Sequence, residues 1–361
     1  CEKHATLREI AGKASQTSYW VCAYANRQWE LDGEINVPLE NCSFTKAMHA
    51  ADGVLLVLDP AATAFGRIWC DYELHKTLND DNKMLDIVTV PEQTVGSEVC
   101  EPQLLTQGLL PRESTFAKKR RELQFPISVL LAGIHVKLEE GEATVDKDKH
   151  RILESMSQEF LSEGLDWEEA MKLAMRMANH KLNAYFAQAA WPQAVKKNAL
   201  CDFDPAHPGT LSLPDVLVQD EAMRTLALNL SQFDEVTDTE LEYLARGLPP
   251  NLISMGLCFE GCHNISDDGV AALMAKLGSN LQYLHLDFVA CNNITDASLQ
   301  AIARYLPLSI VNLRLDFAKC ARVSHVGVES LAKRLTLLNL HTFSATFKGT
   351  QVNRNFSSKA E

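Results

Sequence analysis

The chain has 361 residues, 46% of them hydrophobic and 22% charged, with Asp and Glu outnumbering Lys and Arg by 47 to 34. Its length calls for two or three domains, because one hydrophobic core stops growing before about 250–300 residues. The acidic balance argues against a general nucleic-acid surface, and no apolar run approaches the roughly 18 residues that span a bilayer, so neither nucleic acid nor a membrane is an expected partner.

Ten cysteines occur with none of the paired spacings of a zinc module, and several sit in apolar strand patterns where a thiol acts as a small hydrophobe. No metal is expected, and a reducing, cytoplasmic compartment is.

In chain order, Thr6 to Ala14 reads as a helix and Tyr19 to Tyr24 as a strand. Gly53 to Leu58 is apolar throughout, which predicts a central strand buried on both faces and ended by Asp59-Pro60. The loop Ala61 to Gly66 follows at the strand's carboxyl end, where α/β sheets place ligands, and leads into a helix carrying Trp69, Cys70, Glu73 and Leu74. Met84 to Val90 and Ile134 to Leu138 read as further strands. Residues 91–125, with Pro91, Gly96, Pro102, Gly108 and Pro111, read as a long excursion. The basic run Lys118 to Arg121, followed by Glu122, reads as a solvated helix face. Alternation of strands with helices predicts an α/β unit over residues 1–145, a mostly parallel sheet covered by helices.

A helical connector or cap is expected over 146–200, as helix His150 to Ser162 and a second helix from Asp166 to about Ala190, ending before Pro192. Met171, Ala174, Met175, Ala178 and Leu182 fall along one side of the second helix as core packing. Residues 201–221, with Pro205, Pro208, Gly209 and Pro214, read as a linker or cap.

From residue 222 to about 350 the chain repeats. Segments starting at Met223, Leu252, Leu281 and Ile310 superimpose at a step of about 29 residues, with a degenerate copy near Leu340 to Ala345. Each has the period-two pattern of a strand with one buried face, as in Leu284, Leu286, Phe288. Each continues into a cysteine, as in Leu257-Phe259-Cys262, Leu286-Phe288-Cys291 and Leu315-Phe317-Cys320. A hydroxyl residue then caps a helix: Thr237, Ser266, Thr295 or Ser324, with Glu240 completing a capping box. The pattern is that of cysteine-containing leucine-rich repeats, about four and a half copies, and the resemblance implies an α/β solenoid with its strands along a concave face and its thiols in an interior ladder. That face is the expected site of a protein partner, with Gln282, His285, Asp287, Asn312, Arg314 and Asp316 as candidate contacts. Arg224, Ala227, Ser254, Gly256 and Cys258 are expected to face solvent beside them.

Trp69-Cys70-Asp71-Tyr72-Glu73-Leu74 resembles the W-C-x-x-E-L box of TIR domains, and Val54 to Phe65 is similar to the strand and linker before that box. Gly33-Glu34-Ile35 and Phe44 to Ala51 stand where a TIR domain has its BB loop and the following helix, and the first strand is expected before Cys1. Tyr19 to Cys22 with Asn26, Gln28 and Glu34 also resembles the related fungal HET domains. The resemblance, over about residues 4–90, implies self-association or, in TIR enzymes, cleavage of NAD with the box glutamate as catalytic carboxylate. That role falls on Glu73, with Arg67 and Trp69 as candidate NAD contacts and NAD as substrate rather than resident cofactor. Gly66, Arg67 and Ile68 stand where such boxes often carry a serine. No G-x-G-x-x-G, P-loop, H-E-x-x-H or G-x-S-x-G motif is present. The expectation is a signalling or interaction protein; the alternative is an NAD-cleaving enzyme.

Overall fold

Within the computed structural model, which describes residues 18–21, 38–80, 82–90, 101–106, 108–352 and 354–359, the chain separates into two units, Cys1–Ala189 and Ala190–Glu361. Both are mixed α/β; the sheet of the first unit has one parallel and one antiparallel pairing, and that of the second is mostly parallel. No helix of the described residues is long and apolar enough to cross a membrane.

The first unit holds a three-stranded sheet in the order β1 (Gly53–Leu58), β2 (Met84–Thr89), β3 (Gln103–Thr106). β1 and β2 are parallel and β3 is antiparallel to β2. Among the described residues β2, not β1, is central: Leu85 and Ile87 are fully buried while Val57 of β1 is 59% exposed. The excursion over 91–125 thus contributes a strand. It also contributes helix α3 (Thr115–Glu122), where the basic run is not a solvated face. Lys119 is buried beside the Phe116 ring. Arg121 donates to both Glu113 carboxylate oxygens at 3.0 Å and to the Leu104 carbonyl at 2.6 Å, tying the helix to β3.

Helix α1 (Ser43–Ala50) precedes β1, and α2 (Ile68–Leu78) lies between β1 and β2. The strand expected at Ile134 to Leu138 is instead the end of helix α4 (Ile127–His135) followed by a 3₁₀ turn, Leu138–Glu140. Val129, Leu130, Gly133 and Ile134 are its buried residues, a helical spacing that a short apolar run conceals. Gly133 is required there, because a Cβ would lie 2.3 Å from the Phe186 ring. The helices expected at Thr6 to Ala14, the strand beyond Val21 and the loop at Gly33 to Ile35 lie outside the described residues.

Helix α5 (Asp146–Ser162) is followed by α6 (Trp167–Lys196), which begins after Asp166, whose carboxylate accepts the Glu169 N–H at 2.9 Å. Pro192 does not end α6. A proline inside a helix costs about 3 kcal/mol; Ala190, Trp191, Ala194 and Val195 are all fully buried, and that burial offsets the cost.

In the second unit a short helix, α7 (Leu213–Leu217), packs on the first of four strand–helix steps. These are β4 (Thr225–Asn229) and α8 (Asp238–Gly247), β5 (Ser254–Cys258) and α9 (Asp267–Met274), β6 (Tyr283–Asp287) and α10 (Asp296–Tyr305), β7 (Asn312–Asp316) and α11 (His325–Leu335). β8 (Thr342–Thr346) closes the parallel series, and β9 (Asn355–Lys359), which no sequence pattern announced, runs antiparallel along its outer edge. It pairs backbone groups that an edge strand would leave open.

Identical residues stack between steps. Phe259, Phe288, Phe317 and Phe347 form a column of parallel rings with centroids 5.3, 5.6 and 5.8 Å apart. Cys262, Cys291 and Cys320 are fully buried, each thiol donating to a carbonyl of the preceding step, Leu230, Phe259 and Phe288, at 3.1, 3.2 and 3.1 Å. Burial pushes the Cys291 and Cys320 thiols up, Cys320 to about 12, so both stay protonated and unreactive. The four hydroxyl caps form as expected, including the capping box of Thr237 with Glu240.

A second ladder was not legible in the sequence. The aspartate after each cap reaches into the next step: Asp238 accepts the Ser266 N–H and hydroxyl at 2.7 and 2.6 Å, and Asp267 accepts those of Thr295 at 2.9 and 2.6 Å. Asp296 holds Ser324 in the same way. The series stops at His325, which takes the aspartate's place in the last step. The loop after each strand also carries one residue with positive φ at a fixed position, Gln232, Gly261, Ala290, Lys319 and Gly349. Three of the five are not glycine, so composition hides the turn.

Candidate functional site

Parallel register sets three rows of side chains on the open face of the six-stranded sheet. From β4 to β8 they are Thr225, Ser254, Tyr283, Asn312, Thr342; then Ala227, Gly256, His285, Arg314, Ser344; then Asn229, Cys258, Asp287, Asp316, Thr346. The first two rows line a groove of about 610 Å³. It is floored by small residues over β4 and β5, where a Cβ on Gly256 would meet nothing within 4 Å. Beside that floor stands Tyr283, 46% exposed.

His285, Asp287, Asn312, Arg314 and Asp316 all lie on this face, as the alternation predicts. Gln282 does not. It precedes β6, and Tyr283 takes its place, because the face repeats every second residue and 283, 285 and 287 share a phase that 282 lacks. Arg224 likewise precedes β4.

Arg314 is exposed and makes no ion pair among the described residues. Burial, then the Arg314 charge, pushes His285 below its ordinary value, so the imidazole is neutral near pH 7. Asp316 is shifted the other way: burial raises its carboxyl and Asp287 raises it further. The face therefore combines an aromatic ring, a neutral imidazole and an uncommitted guanidinium with a carboxylate row along one edge.

In the first unit the box residues all lie on α2. Trp69 is half-buried and stacks on Phe44 of α1, with ring centroids 4.9 Å apart and planes at 21°, and it meets Tyr72 edge-on. Its indole is committed to packing α2 against α1, which leaves little of it for a ligand. Arg67 is exposed at the N-cap, where it bridges to Glu142 through the backbone. Glu73, one turn beyond Trp69, is half-buried, and burial raises its carboxyl to about 7 against the opposing effect of Arg67. A carboxyl in that range exists in both protonation states near neutral pH, which suits proton transfer, and a cation placed against it would favour the charged form.

Sequence reasoning passed over two buried ionisable groups on this helix. Asp71 is fully buried with neither carboxylate oxygen hydrogen-bonded, and burial, with Glu139 adding, raises it to about 8. His75, one turn on, is buried and lowered to about 3 by burial. Asp71 lies under Gly141, where a Cβ would come within 2.1 Å of its Oδ2. Asp71 sits at a variable position of the box and His75 just beyond its end, and nothing in a W-C-x-x-E-L pattern says which way either side chain points.

No protein-family model matches the chain, and a search of curated proteins finds no match. The functional reading therefore rests on these residues and their geometry.

Proposed function

We propose that residues 222–350 form a leucine-rich-repeat solenoid of the cysteine-containing type whose strand face binds a protein partner, within a cytosolic interaction or signalling protein. Stacked steps with one Phe and one Cys column support the solenoid reading. The observation that carries the binding reading is Arg314, exposed and unpaired beside Tyr283 and His285 in a groove of about 610 Å³. Tyr and Arg in such a setting are the residue types that dominate protein interfaces. By resemblance, the first unit is TIR-like and self-associates or relays the binding event.

Affinity capture from cytosol with quantitative mass spectrometry tests this. Arg314→Glu and Tyr283→Ala each cost about 2 kcal/mol or more, roughly thirtyfold, in binding of the proteins the unaltered chain enriches. Lys333→Glu, on α11, leaves the same proteins bound. Equal recovery by all three variants removes the strand face as the partner site.

The raised carboxyl of Glu73 favours a second reading, an NAD nucleosidase in which Glu73 stabilises the oxocarbenium-like charge as nicotinamide departs. Under it the full chain releases nicotinamide from NAD, and Glu73→Gln lowers the rate about 100-fold or more. Chromatography of the reaction mixture reads both, and an absence of nicotinamide from the unaltered chain eliminates this reading while leaving the first intact.

A further inference from the structure

Three side chains with metal-binding atoms converge at the carboxyl ends of β5 and β6. Cys258 and Asp287 are register partners in the parallel pair, so they leave the same face of the sheet side by side. Glu260 follows two residues after Cys258 and is exposed. Cys258 Sγ and one carboxylate oxygen each of Glu260 and Asp287 lie within 4.8 Å of one another.

The spacing suits coordination. Zinc–sulfur and zinc–oxygen bonds of about 2.3 and 2.0 Å at a tetrahedral angle place sulfur and oxygen about 3.5 Å apart. The Cys258 thiol stands 3.5 Å from Asp287 Oδ2. These two donors therefore need no rearrangement, and the exposed Glu260 side chain is free to turn toward them. Asp287 is also held in place: its Oδ1 accepts the Val289 N–H at 3.0 Å, which leaves Oδ2 for the thiol. Such outer contacts are what a ligand needs to keep its orientation.

Acidic groups crowd this edge: Glu260 stands two residues from Cys258, and Asp316, the register partner of Asp287 on β7, is next in the row. A divalent ion relieves this crowding and takes the place of the thiol proton, releasing one proton to solvent for each thiolate–metal bond formed.

The other steps sharpen the contrast. At the position of Cys258, β4, β6 and β7 carry Asn229, Asp287 and Asp316, each accepting the N–H two residues on at 3.0 Å. Turn formation is served by an oxygen there, and the fold does not call for sulfur. Cys262, Cys291 and Cys320, by comparison, are sealed inside and spend their thiols on carbonyls.

We propose that Cys258, Glu260 and Asp287 bind a zinc-class divalent ion through one thiolate and two carboxylates, with a fourth position open to water at the edge of the strand face. A borderline-soft ion is implied, because the sulfur disfavours magnesium and calcium. The site stands whether or not the groove has a protein partner.

The test uses the full chain, stripped with a chelator and titrated with Cd²⁺ and, separately, Zn²⁺. Cd²⁺ is expected to produce an ultraviolet thiolate-to-metal charge-transfer band that Cys258→Ser lacks and Cys201→Ser keeps. Calorimetry with Zn²⁺ is expected to show binding weakened about ten- to a hundredfold in Asp287→Asn. Zn²⁺ is also expected to raise the melting temperature of the unaltered chain and not of Cys258→Ser. Glu260→Gln alters an exposed side chain that folding does not use and is expected to weaken Zn²⁺ binding as well. Unchanged Zn²⁺ affinity in Cys258→Ser and Glu260→Gln, or no Zn²⁺ binding by the unaltered chain, overturns the proposal.

Discussion

Asp267→Ala is expected to destabilise the second unit by about 3–5 kcal/mol, the largest effect of any single polar substitution there. Asp267 accepts four hydrogen bonds from the next step: the Thr295 N–H at 2.9 Å, the Thr295 hydroxyl at 2.6 Å, the Ser298 N–H at 3.0 Å and the Ser298 hydroxyl. Ser298 is fully buried, so removing the acceptor strands donors that water reaches poorly. Asp238 and Asp296 face Gly269 and Gly327 where Asp267 meets Ser298, and a Cβ at either glycine would fall within 2.3 or 2.6 Å of the carboxylate. Asp238→Ala and Asp296→Ala therefore leave two donors without their acceptor rather than four and are expected to cost about half as much. Urea unfolding followed by far-ultraviolet circular dichroism measures all three. A loss below about 1 kcal/mol for Asp267→Ala would mean that the ladder accompanies stacking without contributing to it.

Asp71→Asn is expected to stabilise the first unit at alkaline pH and to flatten its pH dependence. Asp71 is fully buried without a partner, and its carboxyl rises from 3.8 unfolded to about 8 folded. The folded state therefore holds a proton that the unfolded state gives up. Stability is complete below about pH 4 and is lost as pH rises toward 8, at up to about 1.4 kcal/mol per pH unit. Glu73, raised to about 7, acts in the same sense between about pH 4.5 and 7. His75 acts in the opposite sense, because its lowered value makes stability fall as pH drops below 6.5. Between pH 6.5 and 8 Asp71 dominates. Unaltered protein is expected to lose about 2 kcal/mol across that interval, and Asp71→Asn to lose little and to exceed it by up to about 5 kcal/mol at pH 8. Four of the five tryptophans, Trp20, Trp29, Trp69 and Trp167, belong to the first unit, so tryptophan fluorescence during urea unfolding follows it selectively. Parallel pH profiles for the two proteins would place the ionised carboxylate in water.

The repeat region was the more legible part because one pattern is stated several times. A strand with alternate apolar residues, a Phe, a Cys three positions on and a hydroxyl cap appear in successive copies, and recurrence removes the ambiguity that any single copy has. The first unit lacks that redundancy. Ile134 to Leu138 looks as much like a strand as like the end of a helix, and only Gly133 pressed against Phe186 decides between them. Pro192 reads as a stop, and burial of Trp191, Ala194 and Val195 carries the helix past it.

What the amino-acid order determined by itself was local and periodic: the strands of each step, the caps at Thr237, Ser266, Thr295 and Ser324, and the inward direction of Cys262, Cys291 and Cys320. These follow from hydrogen bonds and burial within about ten residues of chain, which spacing alone expresses. Tertiary structure decided whatever depends on neighbours some 29 residues away or more. It joined Asp267 to Thr295, brought Cys258 beside Asp287 and enclosed Asp71 under Gly141. Strand register and packing across elements create those pairs, and neither leaves a mark in the order of residues.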